Sequence, residues 1–372
     1  MRHSLIMMSI LPMLAQAATA PDGATMQEAF TTCTNLECGR YTSSKFSMGE
    51  HFLSGKIVRG ETFFADGDGE REFKMAFKPE RIISVFNQTT GEIYIAGTDY
   101  LETKDGISIP KDSRIKFSPH GFASPAPAED LKNYGVRMTT EFQGYQYSVS
   151  YEKSSFFAVE QHGKLGRLKE KFGKSPVNIT FFGDSITAGA NATAESAPPH
   201  QPGYAGLVAA RLNDLYPTLV SYRNNSVGGW SAINATASVE YRVNDLKSDL
   251  VVLAFGMNDG GGYTPDEYHK HIKYVIDAIR AKQPDTAILL VSPTRANPST
   301  FTQNREYVSN YWPKLVELSE NYKNVKAVNL TSLWDRLLVN KHYLDLTGNG
   351  LNHPNDFGHR MIAEAVLYSI IE

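Results

Sequence analysis

The chain has 372 residues, 41% of them hydrophobic, which is long for one ordinary domain and ample for two buried cores. Its 37 basic and 40 acidic residues leave a formal net charge of -3 with no block of one sign, which argues against a nucleic-acid groove or a polybasic membrane patch. A neutral or small substrate fits that balance better.

The chain opens on Met1-Arg2-His3-Ser4, an apolar run from Leu5 to Leu14, and the small-residue stretch Ala15-Gln16-Ala17-Ala18-Thr19-Ala20. A basic start, a short apolar segment and an Ala-x-Ala pattern read as a secretion signal over residues 1–20, so the protein is expected to be extracellular or periplasmic. The apolar run is too short to span a bilayer, and no later segment is long or apolar enough to do so. Cys33 and Cys38 are expected to pair, because an exported protein meets oxidising conditions. Two cysteines without a nearby histidine supply too few ligands for a metal. Sequons begin at Asn87, Asn178, Asn191, Asn224, Asn234 and Asn329, and those at Asn178 and Asn329 fall in or beside predicted core strands.

Residues 21–160 form the next unit. Alternation at Phe73/Met75/Phe77, Ile93/Ile95, Ile107/Ile109 and Tyr145/Tyr147/Val149/Tyr151, with turn clusters between, predicts an all-β sandwich or jelly roll. The stretch Ser124 to Glu129 reads as a loop inside it. Residues 161–176, rich in Lys and Gly, read as a linker. Beyond it, predicted strands at Asn178–Phe182, Leu219–Tyr222, Leu250–Phe255, Ala287–Val291 and Val325–Val328 alternate with helices near Tyr204–Leu215, Val239–Leu246, Pro265–Lys282, Thr302–Asn321 and Asp356–Ile371. Residues 177–372 are therefore expected to form a three-layer α/β/α domain around a five-stranded, mostly parallel sheet, with function on the loops after the strands.

Several of those loops carry chemistry. Phe181-Phe182-Gly183-Asp184-Ser185-Ile186-Thr187 lifts a serine above the carboxyl edge of the first strand, although Gly-Asp-Ser alone is equally an ordinary turn. After the second strand comes Asn224-Asn225-Ser226-Val227-Gly228-Gly229-Trp230-Ser231, whose glycines let a backbone N–H approach a negative oxygen, although taken alone the segment reads first as an ordinary strand-end turn. After the third comes Gly256-Met257-Asn258-Asp259, which offers an amide side chain to the same oxygen, or else an Asx turn. Gly350-Leu351-Asn352-His353-Pro354-Asn355-Asp356 precedes the last helix and can hold an imidazole over the sheet edge as a base. His359, at the helix start, is expected to be structural. Trp230 and Arg295 lie on sheet-edge loops and can meet substrate; packing at the domain interface for Trp230, and a structural salt bridge for Arg295, fit as well.

In this order the blocks resemble the SGNH hydrolases, a branch of the GDSL esterases and lipases, over about residues 177–372. Gly183-Asp184-Ser185-Ile186-Thr187 is similar to the nucleophile block, Gly229 to the oxyanion glycine, Gly256-Met257-Asn258-Asp259 to the Gly-x-Asn-Asp block, and His353-Pro354-Asn355 to the histidine block. More loosely, the β-rich half joined to such a domain is similar to two-domain carbohydrate acetylesterases. The resemblance implies that Ser185 attacks an ester carbonyl, His353 takes its proton, and the Ser185 N–H, Gly229 N–H and Asn258 side chain hold the oxyanion, with no metal or organic cofactor. An acetylated carbohydrate is the implied substrate. A short-chain lipase or arylesterase, or an inactive carbohydrate-binding protein, are the competing readings. The family usually carries an aspartate three residues before the histidine, and here that residue is Gly350. The expectation is a Ser-His dyad with His353 Nδ1–H held by a backbone carbonyl of residues 347–352; Asn352, Asp345 and Asp335 are the other candidates.

Overall fold

The computed structural model describes residues 53, 55–123, 139–194, 197–216, 219–299 and 303–371. The predicted signal, Cys33, Cys38, the loop of residues 124–129 and the first residue of the helix expected from Thr302 lie outside the described residues. Strands β1 (Ile57–Phe64), β2 (Glu72–Lys74), β3 (Pro79–Phe86), β4 (Ile93–Tyr94), β5 (Leu101–Glu102), β6 (Gly106–Ser108) and β7 (Gln146–Lys153), the last preceded by the short helix α1 (Thr139–Gln143), make up the N-terminal part. They form two antiparallel sheets, ordered β1-β7-β3-β4 and β2-β6-β5. Aromatic side chains join the two, with the partly buried Phe73 against the buried Phe63. The Phe63 ring lies 4.4 Å from Phe73 and 5.6 Å from Tyr147.

The second part is built on β8 (Gln161–Gly163), β9 (Val177–Gly183), β10 (Val220–Asn224), β11 (Leu250–Ala254), β12 (Ala287–Val291) and β13 (Val325–Val328). Their order is β10-β9-β11-β12-β13-β8, parallel throughout except for β8. The sheet thus has six strands rather than the expected five, because the first residues of the stretch read as a linker add an antiparallel edge. Successive residues of the central strands face opposite sides. Phe181, Val252 and Leu289 pack with helices α3 (Tyr204–Leu215) and α9 (Asp356–Ile371), whereas Phe182, Val251 and Ile288 pack with α4 (Ala232–Val239), α5 (Pro265–Lys282) and α6 (Arg305–Asn321). Burial on both faces is why these strands read as continuous apolar runs. The short helices α2 (Ser185–Ala188), α7 (Leu330–Leu337) and α8 (Tyr343–Leu346) complete the domain.

Since β9 lies between β10 and β11, the chain leaves it first to one side and then to the other, opening a crevice at the carboxyl edge where ligands settle in such folds. The helix expected over Val239–Leu246 begins earlier, at Ala232, because Asn234 Oδ1 accepts from Ser231 N at 2.9 Å and closes its first turn. The two parts share one hydrophobic cluster, which runs from Phe63 and Tyr151 to Trp334 and Phe357. Buried polar contacts cross the same boundary. Arg360 of α9 donates to Gly60 O (2.7 Å), Asp345 of α8 accepts from Phe64 N (2.7 Å), and Lys341 pairs with Glu61 (3.0 Å).

Candidate active site

Strand β9 ends in Gly183, where a side chain is impossible: a Cβ would lie 2.4 Å from both Ala254 O and Thr187 Oγ1. The next residue, Asp184, caps α2 by accepting from Ile186 N at 3.0 Å. Burial, reinforced by the Asp259 carboxyl, pushes Asp184 up to about 7. The cap fixes Ser185 as the first residue of α2, and its Oγ lies 2.9 Å from His353 Nε2.

The histidine is delivered by a turn wound on Asn349, whose Oδ1 accepts from the N–H groups of Leu351, Asn352 and His353. Gly350 stands at φ 72°, the left-handed region, which explains a glycine where the resemblance would place an aspartate. On the far side of the turn, Asn355 Oδ1 accepts from Gly358 N at 3.0 Å and starts α9. Burial holds the His353 imidazole down to about 4, so the ring is neutral and able to accept a proton.

The partner of His353 Nδ1 differs from the expectation. It is neither a backbone carbonyl of residues 347–352 nor any of the side chains considered, but Asn191 Oδ1, at 2.8 Å. Each of the others is engaged elsewhere. Asn352 Oδ1 accepts from Asn349, Asp335 pairs with Arg295, and Asp345 binds the N–H groups of Phe64 and His342.

Two further loops border Ser185. Residues Val227 to Trp230 form a tight turn closed by Trp230 N on Val227 O, with Gly229 at φ 78°, the geometry of a type II turn. Val227 N donates to Gly183 O at 3.0 Å and docks this turn on the end of β9. A side-chain carbon at Gly228 would lie 3.8 Å from Ser185 Cβ, so a bare backbone faces the serine. Past β11, Asn258 Nδ2 donates to Trp230 O at 2.8 Å, leaving its other N–H for a ligand. The neighbouring Asp259, which sequence reasoning did not single out, is fully buried and binds Ala232 N at 2.9 Å, tying α4 to this loop. Burial raises it to about 6.

The remaining candidates stand apart. Trp230 packs against the cluster behind α4 and α5 rather than at the boundary with the β part, with the Arg242 guanidinium 4.6 Å over its ring. Arg295 is not placed as a substrate ligand: it is buried, and its donors are spent on Asp335, Ser309 Oγ and Arg305 O. His359 is structural in geometry, accepting from Tyr204 N (3.3 Å) and binding Ala190 O (3.1 Å). Among the described residues no group of three or more His, Cys, Asp or Glu is placed to hold a metal, and no helix is long and apolar enough to cross a membrane.

A hydroxyl on a base, beside two loops that offer N–H groups, is an arrangement able to attack a carbonyl and hold the resulting oxyanion. Residues 181–361 match the model of a family described as GDSL-like lipase/acylhydrolase. No curated protein sequence matches the chain. Among solved structures, the fold is similar to a two-domain esterase active on acetylated mannans (21% identity, TM-score 0.46, covering 57% of this chain and 56% of that one). It is also similar to Axe2, an acetylxylan esterase from Geobacillus stearothermophilus (22% identity, TM-score 0.42, 52% of this chain and 94% of that one). A third likeness is to LAE5, an α/β hydrolase from the metagenome of Lake Arreo, Spain (22% identity, TM-score 0.43, 53% and 96%). The matched region spans just over half the length of the two-domain mannan esterase.

Proposed function

We propose that the protein, whose residues 181–361 match the GDSL-like lipase/acylhydrolase family, is a carboxylic ester hydrolase that removes O-acetyl groups from carbohydrates. The observation that carries this reading is the 2.9 Å hydrogen bond between Ser185 Oγ and His353 Nε2 at the carboxyl edge of β9. In the proposed mechanism, Ser185 Oγ attacks the ester carbonyl as its proton passes to His353 Nε2. The Ser185 N–H, the Gly229 N–H and the Asn258 amide hold the tetrahedral oxyanion. Collapse breaks the C–O bond, the departing sugar hydroxyl takes the proton from His353, and water then releases acetate from the serine by the same steps in reverse.

The short acyl preference rests on the mouth of the site. Gly228, whose Cβ would lie 3.8 Å from Ser185 Cβ, and Gly229 are exposed, as are Gly261 and Gly262 after Asn258, so these loops present bare polar backbone. We further assign residues 21–160 to a β domain and residues 177–372 to the hydrolase domain, with residues 1–20 as a secretion signal and Cys33 and Cys38 as a peripheral pair. Hydrolysis of acetyl against octanoyl nitrophenyl esters, alongside acetylated xylan, tests the reading. Faster cleavage of the acetyl ester, with acetate released from the polysaccharide, is expected. Preference for octanoyl would move the protein to the lipases, and inactivity on every ester would leave a binding protein.

A further inference from the structure

We propose that Asn191, on the loop after the nucleophile helix, is the residue that positions His353, so that catalysis runs on a serine, a histidine and an uncharged amide. The inference rests on the esterase reading for its kinetic consequence and on geometry for the rest. The imidazole is held from both ends, with Ser185 Oγ 2.9 Å from Nε2 and Asn191 Oδ1 2.8 Å from Nδ1. An amide oxygen only accepts, so it fixes the proton on Nδ1 and turns the Nε2 lone pair toward the serine.

The surroundings are built to present that amide. Asn191 stands at φ 63°, a conformation that asparagine tolerates better than most residues. Gly348 on the histidine loop makes room for it: a Cβ there would lie 2.9 Å from both Asn191 Cβ and Asn191 O. The loop is fastened on either side of Asn191. His359 Nε2 binds Ala190 O at 3.1 Å, and Asp356 accepts from both Thr193 N and Thr193 Oγ1 at 2.8 Å. Asp356 is itself held by Gln88 Nε2 (2.5 Å), from the turn between β3 and β4, so the β part helps to fix the loop that carries Asn191.

The amide does the orienting work of a triad aspartate without its charge. A neutral amide cannot favour the imidazolium as a carboxylate does. The elements packed round the ring carry Asp184, Asp345, Asp356, His359, Arg360 and Glu364, and the lowered basicity of His353 comes from its burial. An acidic group at position 191 would therefore meet a ring whose basicity no neighbouring charge now raises.

Two variants separate positioning from bulk structure. Asn191→Gly suits the left-handed backbone and deletes the amide; Asn191→Asp keeps the acceptor and adds charge. With nitrophenyl acetate from pH 4 to 9, Asn191→Gly is expected to lower kcat about a hundredfold or more with little change in KM or melting temperature. Asn191→Asp is expected to stay within about tenfold of wild type at pH 8 while the acid limb of kcat/KM moves up by about one unit or more. NMR titration of the His353 ring should show the same upward shift in Asn191→Asp, whether or not the wild type hydrolyses the ester. A wild type without activity thus counts against the esterase reading, whereas the ring titration decides the role of Asn191. An unmoved His353 titration in Asn191→Asp, or a kcat for Asn191→Gly near that of wild type, overturns the proposal.

Discussion

Asn258 has two tasks for one amide. One N–H holds the Trp230 carbonyl, and in the proposed mechanism the other holds the oxyanion. Losing a single oxyanion donor costs about 3 kcal/mol of transition-state stabilisation. Asn258→Ala is therefore expected to lower kcat on an acetyl ester by roughly a hundredfold or more with KM little changed. Steady-state rates close to wild type would remove the amide from the mechanism. The pairing of Ser185 with His353, 2.9 Å apart, was legible in the sequence because each sits in a short block whose residue types serve one chemistry. Asn191 was not, since 162 positions separate it from His353 and nothing in Gly189-Ala190-Asn191-Ala192-Thr193 marks the asparagine except a sequon. The sequence offers partners on the histidine loop, where Gly350 takes the position for its backbone, and the carboxylates Asp345 and Asp335, all C-terminal to the loop that carries Asn191.

At the scale of elements, two glycines beside the serine are required for different reasons. A Cβ at Gly183 would collide with the Ala254 carbonyl and Thr187 at 2.4 Å, whereas one at Gly229 would meet nothing, and only its φ of 78° disfavours a side chain. Gly229→Ala should therefore fold with a stability loss of about 1–2 kcal/mol, and its turn should present the N–H less well. Gly183→Ala should lose far more, because rigid backbone stands in the way. Urea denaturation of both variants checks this, and equal losses would contradict it. Strands β11, β12 and β13 and helix α5 could be read from pattern because their apolar periodicity matches their burial. Strands β1 and β3 could not. β1 carries the buried Glu61 just after a bulge at Gly60, and β3 opens on Pro79-Glu80-Arg81. Helix α7, capped by Asn329, is absent from the expected elements; it is a short helix that starts directly after β13.

Over the whole molecule, the boundary between the two parts is sealed by ions that the sequence could not pair. Lys341 and Glu61 are both fully buried 3.0 Å apart, with Asp345 Oδ2 at 3.7 Å from the same ammonium. Removing one member leaves uncompensated charge, so Lys341→Met is expected to cost about 3–5 kcal/mol in urea unfolding, and the double change with Glu61→Gln should recover part of it. Additive losses would mean that the pair contributes nothing across the boundary. The same packing makes the β part a support for the site through Gln88, Asp356 and Thr193. The most direct test of the account is made on the intact protein, by treating it with a fluorophosphonate, locating the adduct by mass spectrometry and following acetyl-ester hydrolysis in parallel. One adduct is expected, on Ser185, formed in step with the loss of hydrolysis, together with a folded Ser185→Ala protein that neither hydrolyses nor labels. Hydrolysis that survives in Ser185→Ala, or an adduct on another serine, would contradict it.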